Sequence, residues 1–178
     1  IAFELIFVAV LIVLNGVFAM SEMAIASSRK ARLAALAESG DGGAHAALRL
    51  MEQPTQFLST VQIGITSIGV LNGIVGEAAF SDDFSYWLLA QGVPESWAAG
   101  LATAFVVTLI TFSTILFGEL VPKRIGQLFP ESVARVVAPV MLALATLAKP
   151  FVHLLSASTS GMLKLLRIDV HGARTVTE

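Results

Sequence analysis

No lysine or arginine occurs between Arg49 and Lys123; all eleven basic residues fall in two blocks, positions 29–49 and 123–174. Short loops rich in Lys and Arg stay on the cytoplasmic side of a membrane. The interval between the blocks must therefore leave that side and return to it. Three apolar runs match this demand, at about 3–28, 57–80 and 98–121, each near the roughly 20 residues a bilayer crossing needs. The expectation is an all-α membrane protein with three transmembrane helices and cytoplasmic juxtamembrane helices, its N-terminus outside and its C-terminus inside. Val136 to Ala148 is also apolar, but it is short, Pro139 interrupts it, and a fourth crossing would export Lys164, Arg167 and Arg174. Residues 122–168 therefore read as a juxtamembrane belt of helices broken at Pro139 and Pro150.

Composition agrees with one membrane domain over 1–178: 56% of residues are hydrophobic and 13% charged, outside the range of soluble domains. The first apolar run lacks a basic leader segment and reads as a retained helix, not a cleaved signal. Residues 29–55 carry helix-like apolar spacing on both sides of Gly40-Asp41-Gly42-Gly43, predicting two short amphipathic helices at the inner surface. Residues 81–97 are the expected outer loop, with Tyr86, Trp87 and Trp97 as interfacial anchors. The tail, 169–178, is polar and reads as a cut from a longer protein. There are no cysteines, so neither disulfides nor thiolate metal sites exist. His45, His153 and His171 are scattered, no nucleophile stands beside a base, and no glycine-rich loop sits between a strand and a helix. The chain is not read as an enzyme, and nothing in it points to nucleic acid.

Polar residues inside the runs carry the functional expectation. Pro122 has no N–H, so it cannot bond the Gly118 carbonyl four residues earlier. One backbone oxygen is thereby freed beside the Glu119 carboxylate. Polar groups in hydrocarbon are costly unless satisfied, and a hard cation is the simplest partner for oxygens. Glu119 also stands four residues before Lys123, the favourable orientation for an intrahelical ion pair, and the sequence leaves both readings open. The first run adds a weak point at Asn15-Gly16 and the pair Ser21-Glu22. The second carries the stripe Gln62, Thr66, Gly69, Gly73 and Gly76, in which Gly69 and Gly73 form a GxxxG step, flanked by Ser59 and Asn72. The third adds Thr111 and Thr114. Taken singly, Ser21 could bond back to its own helix, Asn72 could join two helices, and Glu22 could pair with Arg29. On straight helices Ser21, Asn72 and Glu119 lie at different depths; bends at Asn15-Gly16 and Pro122 would bring them nearer.

Three motifs, Asn15-Gly16-Val17-Phe18-Ala19-Met20-Ser21-Glu22, Phe57-Leu58-Ser59-Thr60-Val61-Gln62-Ile63-Gly64-Ile65-Thr66 and Gly118-Glu119-Leu120-Val121-Pro122-Lys123, resemble in order and spacing the transmembrane domain of the CorC and cyclin-M (CNNM) magnesium transporters. The resemblance implies a homodimer in the cell membrane, a bacterial inner membrane by preference, continuing into cytosolic nucleotide-binding regulatory domains. It implies Mg²⁺ export coupled to Na⁺ by alternating access, with a dehydrated or partly dehydrated ion held by Ser21, Asn72, Gly118 and Glu119. Supporting or sodium-binding oxygens would come from Glu22, Ser59, Gln62, Thr66 and Thr114. The alternatives are a magnesium sensor that passes no ion, and a membrane scaffold whose polar residues only join helices.

Overall fold

The computed structural model describes residues 2–165, all but a few of them helical. In chain order these are α1 (Ala2–Ser27), α2 (Lys30–Glu38), α3 (Gly42–Glu52), α4 (Pro54–Ala90), α5 (Glu95–Ile115), a π-helical turn (Leu116–Leu120), α6 (Val121–Leu128) and α7 (Pro130–Leu165). Four stretches are long and apolar enough to cross a membrane: α1, α4, the continuous Glu95–Leu128 unit and α7. Their outward faces carry Ile6, Val70, Ile74, Phe112 and Phe117, each more than half exposed, a surface that suits lipid better than water. The chain is a multi-pass membrane protein.

Named contacts fix the register of the bundle. α4 runs antiparallel to α5, with Asn72 opposite Thr114, Gly76 against Ile110 and Phe84 stacked on Phe105. α1 runs parallel to the π turn and α6, with Asn15 opposite Gly118, Glu22 opposite Lys123 and Met20 and Ala24 against Gly126. At the basic end, Leu33, Ala44, Ala47, Leu50, Phe57, Ala134, Ala138 and Met141 close into one apolar core. α3 thus packs against the ends of α1 and α4 and the first half of α7, and α2 packs on α3.

The turn between α2 and α3 shows how this core is locked. Gly40 takes a positive φ of 94°, which only glycine adopts without cost, and the amides of Gly40 and Asp41 return to the carbonyls of Ala37 and Leu36. That is a Schellman cap. Asp41 then caps α3, its carboxylate accepting the Ala44 amide at 2.8 Å, and it forms an ion pair with Arg135 of α7. The Ala44 amide and then the Arg135 guanidinium hold the Asp41 carboxyl below its ordinary value of 3.8.

Three sequence expectations are corrected. Residues 81–90 are helical and not loop, because Ser81 is buried and Phe84 stacks on both Trp87 and Phe105. The connection shrinks to 91–94, where Gly92 at φ 88° makes a second Schellman cap, and α4 reaches 37 residues, about 55 Å against a hydrocarbon thickness of about 30 Å. α7 is one helix with Pro139 and Pro150 inside it, not helices broken at each. Both prolines lie on its exposed face, while the buried face through Ala134, Val137, Ala138, Met141 and Ala145 continues past them and holds the helix together. By length and apolarity α7 joins the three expected spans as a fourth candidate. Among the described residues, a methyl group at Gly69 or Gly73 would meet nothing from another helix within 4 Å; the close approaches on α4 are Gly64 to Phe18 and Gly76 to Ile110. The expected tail at 169–178 lies outside the described residues.

Two outcomes follow. A methyl group at Gly126 would meet the Met20 carbonyl oxygen at 2.6 Å and the Ala24 nitrogen at 3.1 Å, both backbone, whereas one at Gly69 would meet nothing. Gly126→Ala should therefore cost about 1–3 kcal/mol of stability, and Gly69→Ala should be neutral or slightly stabilising, read from thermal unfolding in detergent. For Asp41 the folded value is depressed, so its contribution is present above the unfolded value and lost as pH falls through the folded one. The difference in Tm between the native chain and Asp41→Asn should accordingly be open at neutral pH and close as pH drops below 3.8.

Candidate cation site

The freed carbonyl is where α1 meets the third apolar unit. Pro122 can donate to no carbonyl, and its ring would clash with the turn before it in a regular α-helix. The chain responds by widening: Leu116–Leu120 form a π turn, in which the Val121 amide reaches the Leu116 carbonyl, and the helix then continues as α6. The bend expected at Pro122 is thus a π bulge, not a broken turn. The Gly118 carbonyl accepts the side-chain amide of Asn15 at 3.0 Å in a buried contact.

Small residues permit that approach. A methyl group at Gly118 would sit 3.2 Å from the Ile12 carbonyl oxygen, and one at Gly16 would sit 3.0 Å from Pro122 Cγ. Asn15 and Gly16, read from the sequence as a bend, lie inside an unbroken α1. Their role is a docking point, with Asn15 as the donor. The sequence signal for it was available: an amide three to four turns into an apolar helix requires a polar partner.

The structure divides the sequence candidates into three groups. Asn72 is fully buried and donates its amide to the Thr114 hydroxyl at 2.6 Å. Thr114 is four residues before Gly118, about 6 Å along the helix. The Asn72–Thr114 level therefore lies about one turn from the Asn15–Gly118 level. Glu119 and Glu22 form the second group, both reaching Lys123, at 2.9 Å and 3.2 Å. Ser59, Gln62 and Thr66 form the third; with Glu22, Ser67, Leu58, Ile63 and Leu155 they line an open groove of about 630 Å³ along α4. Ser21 is fully buried, and its hydroxyl donates to the Phe18 carbonyl of its own helix at 2.7 Å. That donation leaves the oxygen's lone pairs available.

The amide oxygens are the most telling atoms. Asn15 Oδ1 and Asn72 Oδ1 are buried and accept no hydrogen bond from the protein among the described residues. Buried acceptors are normally satisfied, so each calls for a donor or a cation. No cluster of three His, Cys, Asp or Glu side chains exists among the described residues. Any cation held here would therefore rely on hydroxyl, amide and main-chain oxygens with one or two carboxylates. Two carboxylates against one ammonium also leave the site with net negative charge.

Asn15→Leu removes the donor to Gly118 and should cost about 1–3 kcal/mol. In a Pro122→Ala background, where residue 122 regains an amide for that carbonyl, the loss should be smaller. A double-mutant cycle on chemical or thermal unfolding checks this, the coupling expected being roughly 0.5–3 kcal/mol.

Comparison with known proteins places these features in a lineage. The family described as the cyclin M transmembrane N-terminal domain matches residues 5–178. A UPF0053 protein of Synechocystis is 45% identical over 98% of this chain and 39% of its own length. Polyamine export proteins of Salmonella typhimurium and Escherichia coli K12 are 35% and 38% identical, over 90% and 75% of this chain and 36% and 30% of theirs. The chain therefore spans well under half the length of these curated relatives.

Proposed function

The chain belongs to the cyclin M transmembrane domain family, and we propose that it moves Mg²⁺ out of the cell across the bacterial inner membrane, driven by inward Na⁺. The observation that carries the reading is the buried Asn72 Oδ1, without a donor from the protein and about one turn from the carbonyl and carboxylate of Gly118 and Glu119. An orphaned amide oxygen, a main-chain carbonyl, the Ser21 hydroxyl and a carboxylate are the ligand types a hard divalent cation prefers. Asn15 already holds the Gly118 carbonyl, and that carbonyl keeps a second lone pair for an ion. Na⁺ would use the neutral oxygens of Ser59, Gln62 and Thr66 on the α4 groove, with Glu22 at its edge. Thr114 serves the Asn72 side chain instead. In this reading the protein acts as a homodimer and its ion passes by alternating access around the Asn15–Gly118 contact, with the longer protein's cytosolic domains governing the rate.

One observation favours a second cargo. The carboxylates of Glu22 and Glu119 already hold a primary alkylammonium, that of Lys123, and two relatives are named polyamine export proteins. An organic diamine presents the same group.

Thermal stability across separate titrations with MgCl₂ and 1,4-diaminobutane distinguishes them. Ligand-linked stabilisation follows RT ln(1 + [L]/Kd), about 2.7 kcal/mol at a hundredfold excess over Kd, or some 5–10 °C for a chain of about this size. Magnesium should give a saturable rise that Asn72→Ala and Glu119→Gln abolish. A rise with the diamine alone, lost in Glu119→Gln but kept in Asn72→Ala, would replace the magnesium reading by the second.

A further inference from the structure

Lys123 stands between two carboxylates from separate elements: Glu119 in the π turn at 2.9 Å and Glu22 of α1 at 3.2 Å. All three side chains are about a third exposed, a setting in which an isolated pair contributes about 0–1 kcal/mol. Stability alone is therefore a weak reason for this triad at the edge of the bundle. Glu22 also lines the α4 groove with Ser59, Gln62, Thr66 and Ser67.

We propose that the Lys123 ammonium is a tethered competitor for the cation site, seated on Glu119 when no ion is bound and withdrawn toward Glu22 and the groove when one is. The inference rests on the reading of Glu119 as a ligand. A carboxylate neutralised at hydrogen-bond distance by an ammonium offers little to Mg²⁺, and a divalent ion brought to the same oxygens would repel that ammonium strongly in a low-dielectric setting. One cation must yield. Lys123 sits on a flexible four-carbon stem, and Glu22, which it already reaches at 3.2 Å, gives it a second anchor on another helix. When the ion departs, the ammonium returns and the carboxylate is not left bare.

The consequence is quantitative. Apparent affinity falls by the fraction of protein that is binding-competent, so a lysine seated nine times in ten weakens magnesium binding about tenfold. The site is thereby tuned for release as well as capture.

The test is the apparent magnesium Kd from thermal stabilisation of the native chain, Lys123→Gln and Lys123→Arg, with Glu119→Gln as reference. Lys123→Gln should lower Kd about tenfold, and Lys123→Arg, whose planar fork grips carboxylates in a bidentate way, should raise it severalfold. Opposite signs are the signature, since a merely structural lysine would be rescued by arginine. If Lys123→Gln yields no folded protein, the direction of the arginine shift decides alone. Unchanged or same-direction shifts, with the native response still lost in Glu119→Gln, overturn this inference and spare the ion site. No magnesium response in the native chain, or one that Glu119→Gln retains, overturns both.

Discussion

The hydrogen bond from Asn15 to the Gly118 carbonyl is the contact on which the rest of the site depends. It joins two segments 103 residues apart at a point where neither helix is self-sufficient. The third apolar unit has a carbonyl with no amide to meet it, and α1 has an amide in a lipid-compatible helix. Each solves the other's problem. The solution requires backbones close enough for a short side chain to bridge, which is why Gly16, Gly118 and Gly126 line the seam between α1 and the π turn with α6.

That seam explains why the polar atoms sit where they do. Once Asn15 is turned to Gly118, its oxygen is left facing away with no donor from the protein, and Asn72 repeats the arrangement one turn further along by giving its amide to Thr114. Two asparagines thus spend their donors on helix contacts and retain their acceptors. In the proposed reading, such a site would select by oxygen placement, with formal charge confined to Glu119, Glu22 and Lys123 at its rim. It would suit an ion that must be held and then let go, because a cage of several carboxylates would bind a divalent cation more tightly.

Much of this was legible in the residues. The loss of a donor at Pro122 is local chemistry, so the Gly118 carbonyl could be singled out from sequence, as could the Glu119–Lys123 ion pair, the two basic blocks and the helical spacing beside Gly40-Asp41. What depended on tertiary contact was not. Asn15 read as a weak point in a helix because its partner lies in another segment, and Lys123 read as the partner of Glu119 alone because Glu22 is on α1. Residues 81–90 looked like a loop, since Asp82 and Asp83 are polar; only the burial of Ser81 and the stacking of Phe84 on Phe105 of α5 reveal a longer helix. The prolines of α7 suggested breaks, and the uninterrupted buried face that overrides them becomes visible only when α3 is set beside it. The GxxxG step on α4 shows the reverse: a pattern suited to close packing that this chain does not itself use.

The π turn also acts as a phase shifter. Successive residues of an α-helix are offset by about 100° around its axis, and a π turn accommodates one residue more than an α turn without lengthening the path in proportion. Everything after Leu120 is therefore rotated by about one residue's angle relative to where an unbroken α5 would have carried it. That rotation is what points Lys123 at Glu22 and lays Gly126 on Met20 and Ala24 while Gly118 still faces Asn15. An α-helical version of the same segment could keep one of those alignments or the other. A bulge that migrated along the helix, as such bulges can by exchanging hydrogen bonds one at a time, would turn α6 like a key without moving α5 at all.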